Sequence, residues 1–140
     1  MPHHGGMPLI DNGLEILSPE QCHDLLRRND VGRVAVTVAA LPAIFPVNYA
    51  VVDDDIVFRT GQGTKLRAAV ERAVVAFQID HFDKSIGSGW SVMAVGLAEE
   101  ITEPDELARA RQIGLRPFAG GDRSHFIKIR PEFLSGRRIA

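Results

Sequence analysis

Between Gly32 and Thr60 three β-rich runs follow one another with no room for a helix between them. Arg33-Val34-Ala35-Val36-Thr37-Val38 alternates and is β-branched, Ile44 to Val52 is strand-like, and Ile56-Val57-Phe58-Arg59-Thr60 closes the series. Leu41-Pro42-Ala43 reads as the first turn and Asp53-Asp54-Asp55 as a second, tight polar one. Parallel neighbours need a crossover of a dozen or more residues. These runs therefore form an antiparallel meander, which argues against a doubly wound α/β fold. Pro46 lacks an N–H, so its strand lies at an edge or carries a bulge.

Helical signals punctuate the rest of the chain. Ser18-Pro19-Glu20-Gln21 combines a cap, a proline at the first helical position and a glutamine three residues after the cap. It predicts a helix from about Pro19 to Arg28, with Cys22, Leu25 and Leu26 on its inner face. Thr64 to Arg72 reads as a short helix and Ala73 to Asp80 as a strand. His81 to Gly89 is expected as a loop and Trp90 to Ile101 as a long strand, with a bend or close approach at Gly96. Glu103-Pro104-Asp105-Glu106 starts a helix running to about Ile113. A turn at Gly120 to Asp122 leads to a strand from His125 to Ile129. Pro131 is expected to interrupt pairing, and Phe133 to Ile139 to return to the sheet. The expected fold is mainly β: a six-stranded antiparallel barrel with peripheral helices.

At 140 residues the chain makes one domain with a core of its own. Residues 1–16 read as a flexible leader, without a hydrophobic signal core, and 17–140 as the domain. A net charge of −2 with interspersed signs argues against a nucleic-acid partner. No apolar run reaches the roughly 18 residues of a membrane span. Cys22 is the only cysteine, so neither an intramolecular disulfide nor a CxxC metal pattern is possible, and a reduced, cytoplasmic setting fits. His3 and His4 on the leader are read as incidental.

The stretch with the most chemistry is Phe58-Arg59-Thr60-Gly61-Gln62-Gly63-Thr64-Lys65-Leu66. A strand ends in an arginine, a glycine-containing turn follows, and a Thr-Lys pair opens a helix. Arg59 offers a planar fork to phosphate oxygens and Lys65 a mobile charge. Thr60 and Thr64 offer hydroxyls, and the first turn of a helix offers N–H groups. The spacing is neither GxxxxGK[ST] nor GxGxxG. Two readings stand: a clamp for a phosphate monoester, or a strand-to-helix turn with a threonine cap and a surface lysine.

Further motifs accompany this one in order. They are Val31-Gly32-Arg33-Val34-Ala35, Phe45-Pro46-Val47-Asn48-Tyr49, Val75-Ala76-Phe77-Gln78-Ile79-Asp80 and Gly89-Trp90-Ser91-Val92. From about Leu17 to Ile139 the chain resembles the pyridoxamine 5′-phosphate oxidase-like family of FMN-binding split β-barrels, and more closely its nitroimidazole-resistance-type branch. The resemblance implies a homodimer with flavins at the subunit interface, and flavin-dependent oxidoreduction of a small-molecule substrate. It implies that the backbone of Pro46, Val47, Asn48 and Tyr49 runs along the isoalloxazine ring. It further implies that Arg59, Thr60, Thr64 and Lys65 hold the phosphate end and that Ser91 lies near the ring system. Trp90 either packs near the flavin or serves as a core or interface aromatic. The end Ser135-Gly136-Arg137-Arg138-Ile139 departs from the basic signature of oxidases that make pyridoxal phosphate, so that particular activity is not implied.

FMN is the expected cofactor, with a deazaflavin or haem as alternatives, and a non-catalytic carrier of such a group as the alternative function. A haem reading would need a histidine lining a large apolar pocket. His81, followed by Asp83, is poorly suited to that, and His125 is expected to be structural or exposed. Asp53-Asp54-Asp55 lacks the calcium-loop pattern. Glu99 and Glu100 point to opposite faces of a strand, so they are not a catalytic pair. No metal site and no catalytic side chain is assigned.

Overall fold

The computed structural model describes residues 9–11, 14–61, 64–116 and 124–139. The strands are β1 (Leu9–Asp11), β2 (Leu14–Ile16), β3 (Val31–Val38), β4 (Leu41–Val52), β5 (Asp55–Gly61), β6 (Ala73–Asp83), β7 (Ser88–Glu100) and β8 (Ser124–Ile139). The helices are α1 (Pro19–Arg28), α2 (Lys65–Ala69) and α3 (Pro104–Gln112). The sheet order is β1-β2-β8-β5-β4-β3-β6-β7, and β7 also pairs with β8. The last six strands of that order therefore close on themselves through antiparallel pairs, which is the expected six-stranded barrel.

Alternation decides which side chains fill it. Val34, Val36, Val47, Tyr49, Ile56, Phe58, Phe77, Ile79, Val92, Ile127 and Ile129 point inward and are buried. Burying each such side chain contributes on the order of 2 kcal/mol. α1 adds Cys22 and Leu26 to the same core. Its start is a complete capping box: Gln21 N–H donates to Ser18 Oγ at 3.1 Å, and Ser18 N–H to Gln21 Oε1 at 2.8 Å. α3 lies outside the barrel, where Leu107 and Ala110 join Val57, Ile101, Leu115 and Phe126 in a second apolar cluster.

Four local expectations differ from the structure. The first turn falls at Ala39 and Ala40, both at positive φ (49° and 67°), and β4 already begins at Leu41. The stretch read as a loop from His81 to Gly89 is a β-hairpin, with His81 opposite Trp90 and Asp83 opposite Ser88. Pro131 does not break the last strand. The register shifts instead, Gly96 facing Pro131 and Val95 facing Phe133, so that Glu132 is the extra residue of a bulge. Gly96 is required there: a Cβ would come within 1.9 Å of the Arg130 carbonyl oxygen. Finally, part of the stretch read as a leader is paired, with β2 joined to β8 through Glu15 opposite Arg138. His3, His4, Gln62, Gly63 and the turn at Gly120 to Asp122 lie outside the described residues.

Candidate functional site

β5 carries the residues of the expected clamp to the end of the barrel, and alternation sends them different ways. Arg59 points outward. Its Nη1 donates to the Leu115 carbonyl at 2.5 Å, and its guanidinium stands 5.2 Å from the ring centroid of Phe126, its cross-strand neighbour. Thr60 points inward, is 2% exposed, and its Oγ1 has no hydrogen-bond partner among the described residues. Thr64 caps α2: its Oγ1 accepts from Arg67 N–H at 3.0 Å and donates to the Gly61 carbonyl at 2.9 Å. Lys65, the first residue of α2, is exposed. The side chains of Arg59 and Thr60 are thus on opposite faces, while Thr64 performs the capping role that one reading assigns it.

On β4, Val47 and Tyr49 face the core, whereas Pro46 and Asn48 face outward. Tyr49 Oη donates to the Leu26 carbonyl at 2.7 Å, and its ring meets Phe77 edge-on at 4.9 Å. Burial, and then the nearby Asp30 carboxylate, push its hydroxyl pKa well above the ordinary tyrosine range. Val47 and Tyr49 therefore offer a ligand outside the barrel their backbone only. Asn48 Nδ2 donates to the Arg116 carbonyl at 2.9 Å. Asn48 and Arg59 together tie the segment after α3 to the sheet, a role that nothing in their sequence spacing announces.

Ser91 is half-buried on β7, opposite Asp80 on one side and Arg137 on the other. It belongs to the same outward-facing set as Pro46. A row across five strands, Ile44–Ala35–Ala76–Val95–Phe133, is entirely apolar. Its ends are 68% and 70% exposed at Ile44 and Phe133, and Val74 beside it is 71% exposed. The next row, Pro46–Arg33–Gln78–Met93–Ser135, is mixed. In it Gln78 Nε2 donates to Asp80 Oδ2 at 3.0 Å, with Arg33 alongside.

Sequence reading missed a network behind α2. Arg67 Nη2 donates to Glu100 Oε1 at 2.6 Å, and His125 Nδ1 lies 2.6 Å from Glu100 Oε2. An ionised carboxylate only accepts, so His125 carries a proton on Nδ1. His81 is exposed, its ring 6.5 Å from that of Trp90. Two hollows among the described residues lie beside Asp53 and Asp55, one of them also bounded by His23 and Arg130. Neither is bounded by Arg59 or Lys65, and their carboxylates disfavour a phosphate. No group of three or more metal-ligating side chains is gathered among the described residues.

A family model described as pyridoxamine 5′-phosphate oxidase matches residues 18–138. The protein Rv0080 of Mycobacterium tuberculosis is 38% identical over 128 residues, covering 88% of this chain and 84% of that one. The FAD binding protein from Mycobacterium smegmatis superposes with a TM-score of 0.78 at 35% identity, over 89% of this chain and 99% of its own. A FAD-binding protein from Mesorhizobium loti gives 0.71 at 26% identity, over 91% and 99%. With a six-stranded closed barrel and a family match over nearly its whole length, the chain belongs to the pyridoxamine 5′-phosphate oxidase family.

Proposed function

We propose that this protein binds a flavin, FMN in the first instance, on the outer face of the barrel and acts as a flavin-dependent oxidoreductase on a small molecule. The observation that carries the reading is that Pro46 and Asn48 on β4, Arg59 on the adjoining β5 and Ser91 on β7 all project outward, with Lys65 exposed at the start of α2. These are the outward-facing positions among those matching the family's flavin-binding motifs. The donor set fits the group: a guanidinium at the end of β5 and an ammonium at the start of α2 suit a phosphate, and a strand backbone and a serine suit ring hydrogen bonds. The FAD-binding relatives support a flavin in general.

When bound, the flavin supplies hydride or electron transfer. The protein's own residues bind and orient it. Lys65 meets the phosphate end, with Thr64 capping α2 and Arg59 adding positive potential at the strand end. The β4 backbone from Pro46 to Tyr49 aligns the ring, and Ser91 contributes a hydroxyl near it. A second copy of the chain covers the apolar row from Ile44 to Phe133 and excludes water from the ring. Exposed contiguous apolar surface of this kind marks interaction faces.

Titrating the purified protein with FMN and FAD, followed by flavin fluorescence and visible absorption, tests the reading. Saturable binding at micromolar flavin is expected; no binding of either one overturns it. Turnover with NADPH and a nitroaromatic acceptor then tests the oxidoreductase assignment, and tightly bound flavin with zero turnover would make the protein a carrier instead.

A further inference from the structure

We infer that Arg67, Glu100 and His125 form a positioning cluster for the phosphate end of the flavin site, an assignment that rests on the flavin reading above. α2 is only five residues long. A helix of that length is far too short to hold itself in water, so its placement depends on tethers. Leu66 and Val70 fix its depth by burial in the core. Burial alone leaves rotation about the helix axis weakly set, and the polar bonds of Arg67 set it.

Those bonds make a closed circuit. Arg67 N–H donates to Thr64 Oγ1, and Thr64 Oγ1 donates back to Gly61, the last residue of β5. The Arg67 side chain, 18% exposed, reaches across to Glu100 on β7 at 2.6 Å. The other oxygen of Glu100 accepts a hydrogen bond from Nδ1–H of His125 on β8 at 2.6 Å. His125 in turn is the cross-strand partner of Thr60 on β5, one residue before Gly61. One carboxylate thus joins the start of α2 to two barrel strands, and the circuit returns to β5. Glu71 adds a weaker, exposed contact to Arg67 at 3.5 Å. Both bonds to Glu100 are short and sheltered, the conditions under which charge-assisted hydrogen bonds hold geometry best. None of the three side chains needs to touch the ligand. They set the direction in which Lys65, two residues before Arg67, is presented.

The test uses the full chain and two probes, FMN and riboflavin, which share ring and ribityl chain and differ by the phosphate. Riboflavin affinity is read by displacement of bound FMN. Glu100→Gln keeps the shape and removes the charge. It is expected to weaken FMN about tenfold while leaving riboflavin unchanged. His125→Asn, whose amide N–H stands where Nδ1–H does, is expected to retain FMN affinity that His125→Ala loses. Equal weakening of both probes in Glu100→Gln reveals a merely structural role and overturns the inference, as does unaltered FMN affinity. A wild-type protein that binds FMN no tighter than riboflavin overturns the phosphate-end assignment itself, before any variant is compared.

Discussion

The phenol of Tyr49 sits inside the barrel and donates to the Leu26 carbonyl in the last turn of α1. Helix ends leave carbonyls without intrahelical partners, and a buried one needs a donor. Tyr49→Phe is expected to lower stability by about 1–2 kcal/mol in denaturant unfolding at neutral pH. The hydroxyl's raised pKa gives this loss a pH signature. The unfolded chain releases the phenolic proton near pH ~10 while the native state keeps it, so wild-type stability falls as pH rises past that value. The variant lacks the group, and the difference between the two proteins narrows above pH ~10. A constant difference would refute the assignment. Strand alternation sends Val47, Tyr49 and Thr60 inward, so Thr60, read from sequence as a hydroxyl for the phosphate, is instead buried. Tyr49's partner was not legible in the sequence, because Leu26 is 23 residues away and no spacing rule joins them. The same holds for Glu100, which meets Arg67 and His125 from 33 and 25 residues away.

The antiparallel meander, the Ser18 capping box, the short helix after Thr64 and the close approach at Gly96 were all carried by local pattern. Failures at the scale of elements came from treating proline and glycine as the punctuation. Leu41-Pro42-Ala43 looked like a turn, yet the chain reverses at Ala39-Ala40, where neither residue favours positive φ. Strand pairing from Val31–Asn48 to Val38–Leu41 fixes that register across the whole hairpin and overrides the local preference. Replacing the pair by Ala39→Asn with Ala40→Gly, the preferred residues of a two-residue hairpin turn, is expected to raise stability by about 1–2 kcal/mol. Denaturant midpoints would check it, and a loss of stability would contradict the turn geometry. Pro131 likewise marked a bulge rather than an end. The long pairing of β7 with β8 on both sides of it absorbs one unpaired residue. Those two strands also close the barrel, so a break there would open it.

Across the whole molecule the barrel has two kinds of outside. α3 and the Leu115–Arg116 segment cover the β4–β5–β8 side, while the face crossed by Ile44, Ala35, Ala76, Val95 and Phe133 is left bare. The proposed second copy covers the bare face. Sedimentation equilibrium is expected to find a dimer, and Phe133→Asp to shift it to monomer without unfolding, since Phe133 is 70% exposed within one copy. A wild-type monomer at tens of micromolar would refute that cover. The central claim concerns the cofactor, and Lys65 offers the most direct access to it, because its side chain is exposed and takes no part in the capping bonds of α2. The deciding measurement is FMN affinity, by fluorescence titration, for wild type and Lys65→Ala. The account predicts binding at micromolar FMN or below in wild type and a loss of about tenfold or more in the variant, the value of one charge-assisted phosphate contact. Identical affinities in the two proteins, or no binding in either, would contradict it.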